Sequence, residues 1–195
     1  MRPQAACVIA SVFCLSACEE KKEITVTESR APTTRDATPK LSATSDERFR
    51  DAKPSPVTAE TPSSWLVLPA SQIRLLNYRF GESGMGEVWV SVSGGSVLDN
   101  VNRWLGQFAA APLDAAGLAK LPTVSLAGAE GKMVTAAGEY ASGMGAPPKP
   151  GFGLAGVVAA VNGQILTVKM VGPKAEVETA KPALESYIRS LRMAE

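Results

Sequence analysis

The run Leu154-Ala-Gly-Val-Val-Ala-Ala-Val161, followed by Asn162-Gly163 and then Gln164-Ile-Leu-Thr-Val-Lys-Met-Val171, decides the architecture. Two apolar stretches rich in β-branched residues flank the dipeptide best suited to a two-residue turn, because Asn and Gly tolerate the positive φ angles that such a turn needs. The stretch predicts a β-hairpin. Upstream, Gln72 to Phe80 and Glu87 to Ser93 read as strands, the second setting Val88, Val90 and Val92 against Trp89 and Ser91. The glycine-rich segment Gly81 to Gly86 joins them as another hairpin.

Between the hairpins the period changes to that of a helix. Ser96 and Asp99 have the spacing of a capping box, and Val97, Val101, Trp104, Leu105 and Phe108 line one face up to Pro112. Asp114 to Leu121 reads as a second short helix, and Thr123 to Leu126 and Lys132 to Tyr140 read as strands around Gly128 and Gly131. Gly143 to Gly151 carries three prolines and reads as a loop. From Pro173 the chain is helical again, with Val177, Ala180, Leu184, Tyr187, Ile188 and Leu191 on the inward side. Pro182 should kink that helix or start a second piece, because it has no N–H for the preceding turn. Hairpins with helices between and after them give an α+β class, an antiparallel sheet covered by helices.

The chain begins differently. Arg2 precedes the uncharged apolar run Cys7 to Leu15, and small residues follow. This is the layout of a secretory signal, and the run is shorter than the roughly 20 apolar residues of a membrane span. It ends Leu15-Ser16-Ala17-Cys18, which resembles the lipobox of bacterial lipoproteins. The resemblance implies cleavage before Cys18, lipid (diacylglycerol and palmitate-type acyl chains) on its sulfur, and an address in the cell envelope. That address is the outer membrane or the periplasmic face of the inner one. Several acyl chains anchor stably where one is marginal. Cys7 and Cys14 would leave with the signal, so no thiol would remain for a disulfide, a nucleophile or a metal.

Residues 18–62 are Thr, Ser, Pro, Ala and charge, too poor in large apolar residues to bury a face. They read as a disordered tether, spanning on the order of 30 to 40 Å as a coil. The composition changes at Ser63-Ser64-Trp65, so residues 1–17 are expected to be signal, 18–62 tether and 63–195 one globular domain.

Strand, strand, Gly-Gly, a helix reading Asn100-Val-Asn-Arg-Trp-Leu-Gly-Gln107, a hairpin and a last helix ending Ser190-Leu-Arg192 together resemble the PsbP-like fold over about Trp65 to Arg192. The resemblance implies an α/β/α sandwich and a protein-binding role, since family members of known function mostly bind other proteins and share no catalytic set.

The 195-residue chain has 20 basic and 19 acidic side chains and no histidine. A formal charge of +1 does not fit a general nucleic-acid binder. Without histidine there is no Ser-His-Asp triad, no imidazole base and no usual zinc ligand. Gly151-Phe-Gly-Leu-Ala-Gly156 matches G-x-G-x-x-G, but it runs into β-type residues instead of opening a helix, so it reads as a strand whose small residues admit a helix. Nothing pairs Glu82, Glu87, Glu130 and Glu139 into a working couple. No cofactor or metal is expected, and the chain is not expected to be an enzyme.

Two sets of residues are candidates for partner binding. Asn100, Arg103 and Gln107 share a stripe of the first helix, where Arg103 offers a planar fork to a carboxylate or phosphate. The same residues would equally serve to hold the helix to its neighbours. Met85, Met144 and Phe152 lie in or beside Gly-rich loops and suit an adaptable binding edge, or else fold back over the core. The leading expectation is a membrane-tethered module that binds an envelope protein. The alternative is a receptor for a small molecule or lipid, held between the sheet and the Trp104 helix with Arg103 at the mouth.

Overall fold

The computed structural model describes residues 55–194 apart from Gln72, Met144 and Ala146. The signal, Cys18, most of the tether and Met144 therefore lie outside the described residues. Asn162 and Gly163 take φ of 51° and 77° and close strand β7 (Lys149–Val161) onto β8 (Gln164–Pro173), with Val161 opposite Gln164. Ala127 and Gly128, at φ 50° and 83°, close β5 (Thr123–Leu126) onto β6 (Ala129–Tyr140) in the same way. Strands β2 (Leu66–Leu68), β3 (Leu76–Phe80) and β4 (Gly86–Ser93) complete a seven-stranded antiparallel sheet of order β2-β3-β4-β8-β7-β6-β5. The long β7–β8 hairpin is thus central, and its middle residues are buried on both faces, as its largely apolar runs require.

Each face carries its own core. On one, Tyr78, Val88, Val90, Val157, Val168 and Met170 lie under helix α3 (Lys174–Ser190), which turns Val177, Leu184, Tyr187 and Ile188 inward. On the other, Val134, Leu154, Val158 and Ile165 lie under α1 (Val97–Gly106) through Val101, Trp104 and Leu105. Helix α2 (Ala115–Ala119), capped by Asp114, adds Leu118 to this second layer. The class is therefore α+β, an antiparallel sheet between helices. Burying a Val, Leu or Met side chain contributes about 1.5 to 3 kcal/mol, so the two layers supply most of the stabilisation.

Helix α1 starts where the Ser96 spacing predicts: Ser96 Oγ accepts from Asp99 N at 3.1 Å, and Asp99 Oδ2 accepts from Ser96 N at 3.1 Å. Ser96 Oγ also donates to Asp99 Oδ2 at 2.7 Å, and this bond first, with the one from Ser96 N second, holds the Asp99 carboxyl below its ordinary range. Asn102 fixes the exit, its amide exchanging two bonds with the backbone of Leu113.

Several expectations need correction. The strand expected from Gln72 begins at Leu76, although Leu75 N extends the ladder by one bond to Val90 O at 2.8 Å. Strand β2 is an addition that a three-residue run could not announce. The loop expected over Gly143 to Gly151 yields to β7 at Lys149, which faces Tyr140 beyond an irregularity at Gly138. Pro150 is accommodated because it lies near the end of the ladder, where no central bond is lost. Pro182 neither ends α3 nor divides it, since Val177 on one side and Leu184, Tyr187 and Ile188 on the other bury on a common face. Packed chain also begins ahead of Ser63. Val57, in strand β1 (Val57–Thr58), is 1% exposed and pairs with Met193 of β9 (Arg192–Met193).

Candidate functional site

The sheet face under α1 holds a lysine with no carboxylate partner among the described residues. Lys169, the one charged side chain among the described residues that is fully buried, is 2% exposed at the centre of β8. Strand alternation points it to the α1 side, between the apolar Val168 and Met170 of the other face. Its Nζ lies 5.2, 5.4 and 5.6 Å from the ring centroids of Trp104, Trp89 and Tyr140, and it donates to Gln107 Oε1. Ring faces attract a cation through their quadrupole. Burial opposes the charge, and the guanidiniums of Arg103 and Arg74 oppose it further, so its pKa falls from 10.5 to about 7.

Helix α1 closes over this lysine because β7 lets it. A Cβ on Gly156 would stand 2.5 Å from Val168 O and 2.9 Å from Cζ3 of Trp104, so only glycine admits the indole there. The chain leaving β6 is tied down as well, Ala141 N donating to Gln107 O at 2.8 Å. The G-x-G-x-x-G run is thus a close-packing device within a strand, as its β-type surroundings indicate.

Beside α1 the same face opens into a cleft of about 250 Å³, walled by Trp89, Tyr140 and Phe152, with Arg74, Glu87 and Lys149 at its polar margin. Arg74 lies 4.3 Å from the Trp89 ring centroid, and donates to Asn77 Oδ1 at 2.9 Å and to Glu87 Oε2 at 3.1 Å. Glu87 also pairs with Arg79 at 3.2 Å. Tyr140 has its phenol pKa raised, chiefly by burial and next by Glu87, with Arg74 opposing.

The expected site residues part company here. Asn100 is 1% exposed and fully engaged: Nδ2 donates to Gly94 O and Ser96 O, while Oδ1 accepts from Ser93 Oγ and Arg103. It therefore holds α1 to the end of β4 and offers nothing to a partner. Gln107 is occupied by Lys169. Arg103 remains exposed and its described bond is to Asn100. Met85 is exposed at the rim of the cleft, whereas Phe152 is buried in the α1-side core and contributes a wall, not an exposed edge. The space expected between the sheet and Trp104 is filled by Lys169, Gln107 and the indole itself, and the cleft lies beside it. Lys169 was missed, although a single charge inside the apolar run Ile165 to Val171 was a visible signal.

The opposite face has a larger cleft, about 460 Å³, lined by Trp65, Phe80, Ala180 and Ala183, with Glu82 and Glu176 at its edge. Glu176 is held there by Ser83, whose N and Oγ donate to its carboxylate at 3.0 and 2.9 Å. At the margin of the sheet, Leu66, Val67 and Ile73 are 64, 65 and 73% exposed. Among the described residues no helix is long and apolar enough to cross a membrane, and no three acidic or thiol side chains group as metal ligands.

The fold defines a class, a seven-stranded antiparallel sheet sandwiched by helices. By sequence, no family model and no curated protein matches this chain. By structure it is similar to a protein of Bacteroides thetaiotaomicron (12% identity, TM-score 0.45), covering 72% of this chain but only 46% of that one. It is also similar to LpqN, a protein involved in cell envelope biogenesis of Mycobacterium tuberculosis (15%, 0.43, covering 78% and 98%). A third likeness is to the cyanobacterial PsbP of Synechocystis (13%, 0.41, covering 74% and 96%). At these scores the likenesses stop at general layout and transfer no role.

Proposed function

We propose that this chain is a non-catalytic accessory protein of the bacterial cell envelope, held to a membrane by lipid on Cys18, whose domain receives an extended segment of a partner protein along β2. The observation that carries the reading is the open apolar edge of the sheet. Among the described residues strand β2 has a neighbour on one side only, and the Leu66 and Val67 side chains project from it largely uncovered. Soluble proteins usually blunt such edges with charge or proline inside the strand. An added strand would bond the free backbone groups of β2 and cover its side chains. The absence of histidine from the sequence removes the commonest side-chain general base.

The test is a photo-crosslinking side chain placed at Val67 in the full chain in cells, beside the same group at exposed Lys120. A discrete protein adduct from position 67, lost in Leu66→Asp, is expected; equal adducts from both positions or none from 67 would remove the edge from the proposal. Cys18→Ser should abolish labelling by radioactive palmitate, and undiminished labelling would sink the anchor.

A second reading, a receptor for a small apolar molecule, is favoured by the 460 Å³ cleft under α3. Native mass spectrometry of the full chain should then show a bound mass that Ala183→Trp removes. A protein that carries no extra mass from its own envelope counts against it.

A further inference from the structure

Positive charge is collected on the α1 face with little to balance it. Arg74 and Lys149 line the cleft, Arg79 reaches its Glu87, and Lys169 lies against its Trp89 and Tyr140 walls with Arg103 near it, in a chain whose formal charge is only +1. Among the described residues Glu87 is the sole acid lining the cleft, and it is already shared by two guanidiniums, at 3.1 and 3.2 Å. Neither Lys149 nor Lys169 forms an ion pair among the described residues. Removing a cation from water without a counter-charge is costly, so a lysine buried beside two arginines leaves attraction for an anion unspent.

The cleft is shaped to accept one. Arg74 is already ordered, stacked on Trp89 and fixed by Asn77 and Glu87, so little conformational freedom is lost when it receives a ligand. The Tyr140 hydroxyl makes no hydrogen bond among the described residues, and its raised pKa keeps it a donor. The walls Trp89, Tyr140 and Phe152 are flat and apolar, and the last two stack at 6.1 Å with an 11° interplanar angle. Lys149 Nζ hangs 5.5 Å from the Phe152 ring centroid at the mouth.

We infer that this cleft binds a small molecule carrying an oxyanion, phosphate or carboxylate, on a flat apolar body. The oxyanion meets Arg74, Lys149 and the Tyr140 hydroxyl, and the body lies between the rings of Trp89, Tyr140 and Phe152. Arg103 is not part of the cleft lining and contributes field without contact. This site lies on the opposite face from the 460 Å³ cleft and does not depend on strand addition at β2.

The experiment is titration of the full chain with phenyl phosphate, benzoate, inorganic phosphate and neutral benzyl alcohol, followed by calorimetry and by the chemical shift of the Trp89 indole N–H. Both aryl anions should bind at least about tenfold more tightly than benzyl alcohol. Lys149→Gln, at an exposed position, should weaken them about five- to tenfold. Raising salt from about 0.02 to about 0.5 M should weaken them further, since the attraction is partly screened. Phenyl phosphate binding above benzoate assigns the natural group as phosphate, and the reverse assigns carboxylate. Benzyl alcohol binding as well as the anions, or anion binding indifferent to Lys149→Gln, or no Trp89 shift in any titration, overturns the site. Inorganic phosphate equalling phenyl phosphate overturns the aromatic half of it. Because β2 and Cys18 are untouched, failure here leaves the accessory role standing.

Discussion

Lys169 is pulled two ways: three rings and the Gln107 oxygen favour its ammonium, while burial and the guanidiniums of Arg103 and Arg74 disfavour it. Burial prevails, and the folded-state pKa of about 7 lies below the 10.5 of an exposed lysine. Above 10.5 the lysine is neutral in both states and imposes no cost. As pH falls from 10.5 towards 7 the unfolded chain takes up a proton that the folded chain refuses, so stability declines; below 7 both are charged and the loss is complete. The free energy of unfolding should therefore rise between about pH 7 and about pH 10 by a few kcal/mol in total, at about 1.4 kcal/mol per unit of pKa difference. Lys169→Met keeps the length of the side chain and removes the charge, so it should be more stable than the parent at pH 6 and lack this rise. Urea unfolding of both proteins from pH 6 to pH 10 checks it; parallel pH profiles would mean that Lys169 is not the group responsible.

At the scale of elements, the docking of α1 rests on glycine in β7. Gly156→Ala sets a methyl against Val168 O and the Trp104 ring, neither free to retreat. It should cost about 1 to 3 kcal/mol, the usual penalty of overpacking. Gly106→Ala, in the helix itself with open space around it, should raise stability by up to about 1 kcal/mol through helix propensity. Opposite signs in guanidinium unfolding are expected, and a Gly156→Ala protein as stable as its parent would deny the close approach. What was legible in the residues follows from the range of the forces involved. The turn at Asn162-Gly163, the Ser96 capping box and the alternation of Val88, Val90 and Val92 are local requirements and were readable. The strand status of Lys149 and Pro150 was not, because it depends on Tyr140 lying opposite. Lys169 is legible only in part: a single charge inside the apolar run Ile165 to Val171 marks the position, but its burial requires α1, Trp89 and Tyr140 to converge from three other elements. Asn100 shares a helical stripe with Arg103, which suits partner binding, yet its four bonds reach Ser93, Gly94, Ser96 and Arg103 and make it an anchor.

For the molecule as a whole, the boundary between tether and domain is set by contacts made across nearly the full length of the domain. Composition places that boundary at Ser63, because residues 55–62 are as polar and proline-rich as those before them. Yet Val57 is 1% exposed, packed with the α3-side core, and Ala194 N donates to Pro56 O at 2.8 Å. Glu60 N donates to Ser190 Oγ at 2.9 Å, and Thr61 Oγ1 donates to the Tyr78 hydroxyl at 3.3 Å. That hydroxyl also accepts from Tyr187, whose own pKa is raised by burial and by this bond. The segment thus straps the end of α3 and the last residues to the sheet. A chain starting at Ser63 loses one buried valine, the pairing of β1 with β9 and three further bonds to distant residues, and should unfold at least about 2 kcal/mol more easily than one starting at Ser55. Val57→Ala in the full chain isolates the apolar share, and should account for about 1 to 2 kcal/mol. Equal urea midpoints for the two starting points would return residues 55–62 to the tether. A deficit mostly reproduced by Val57→Ala would place the strap's hold in the α3-side core instead of in its hydrogen bonds.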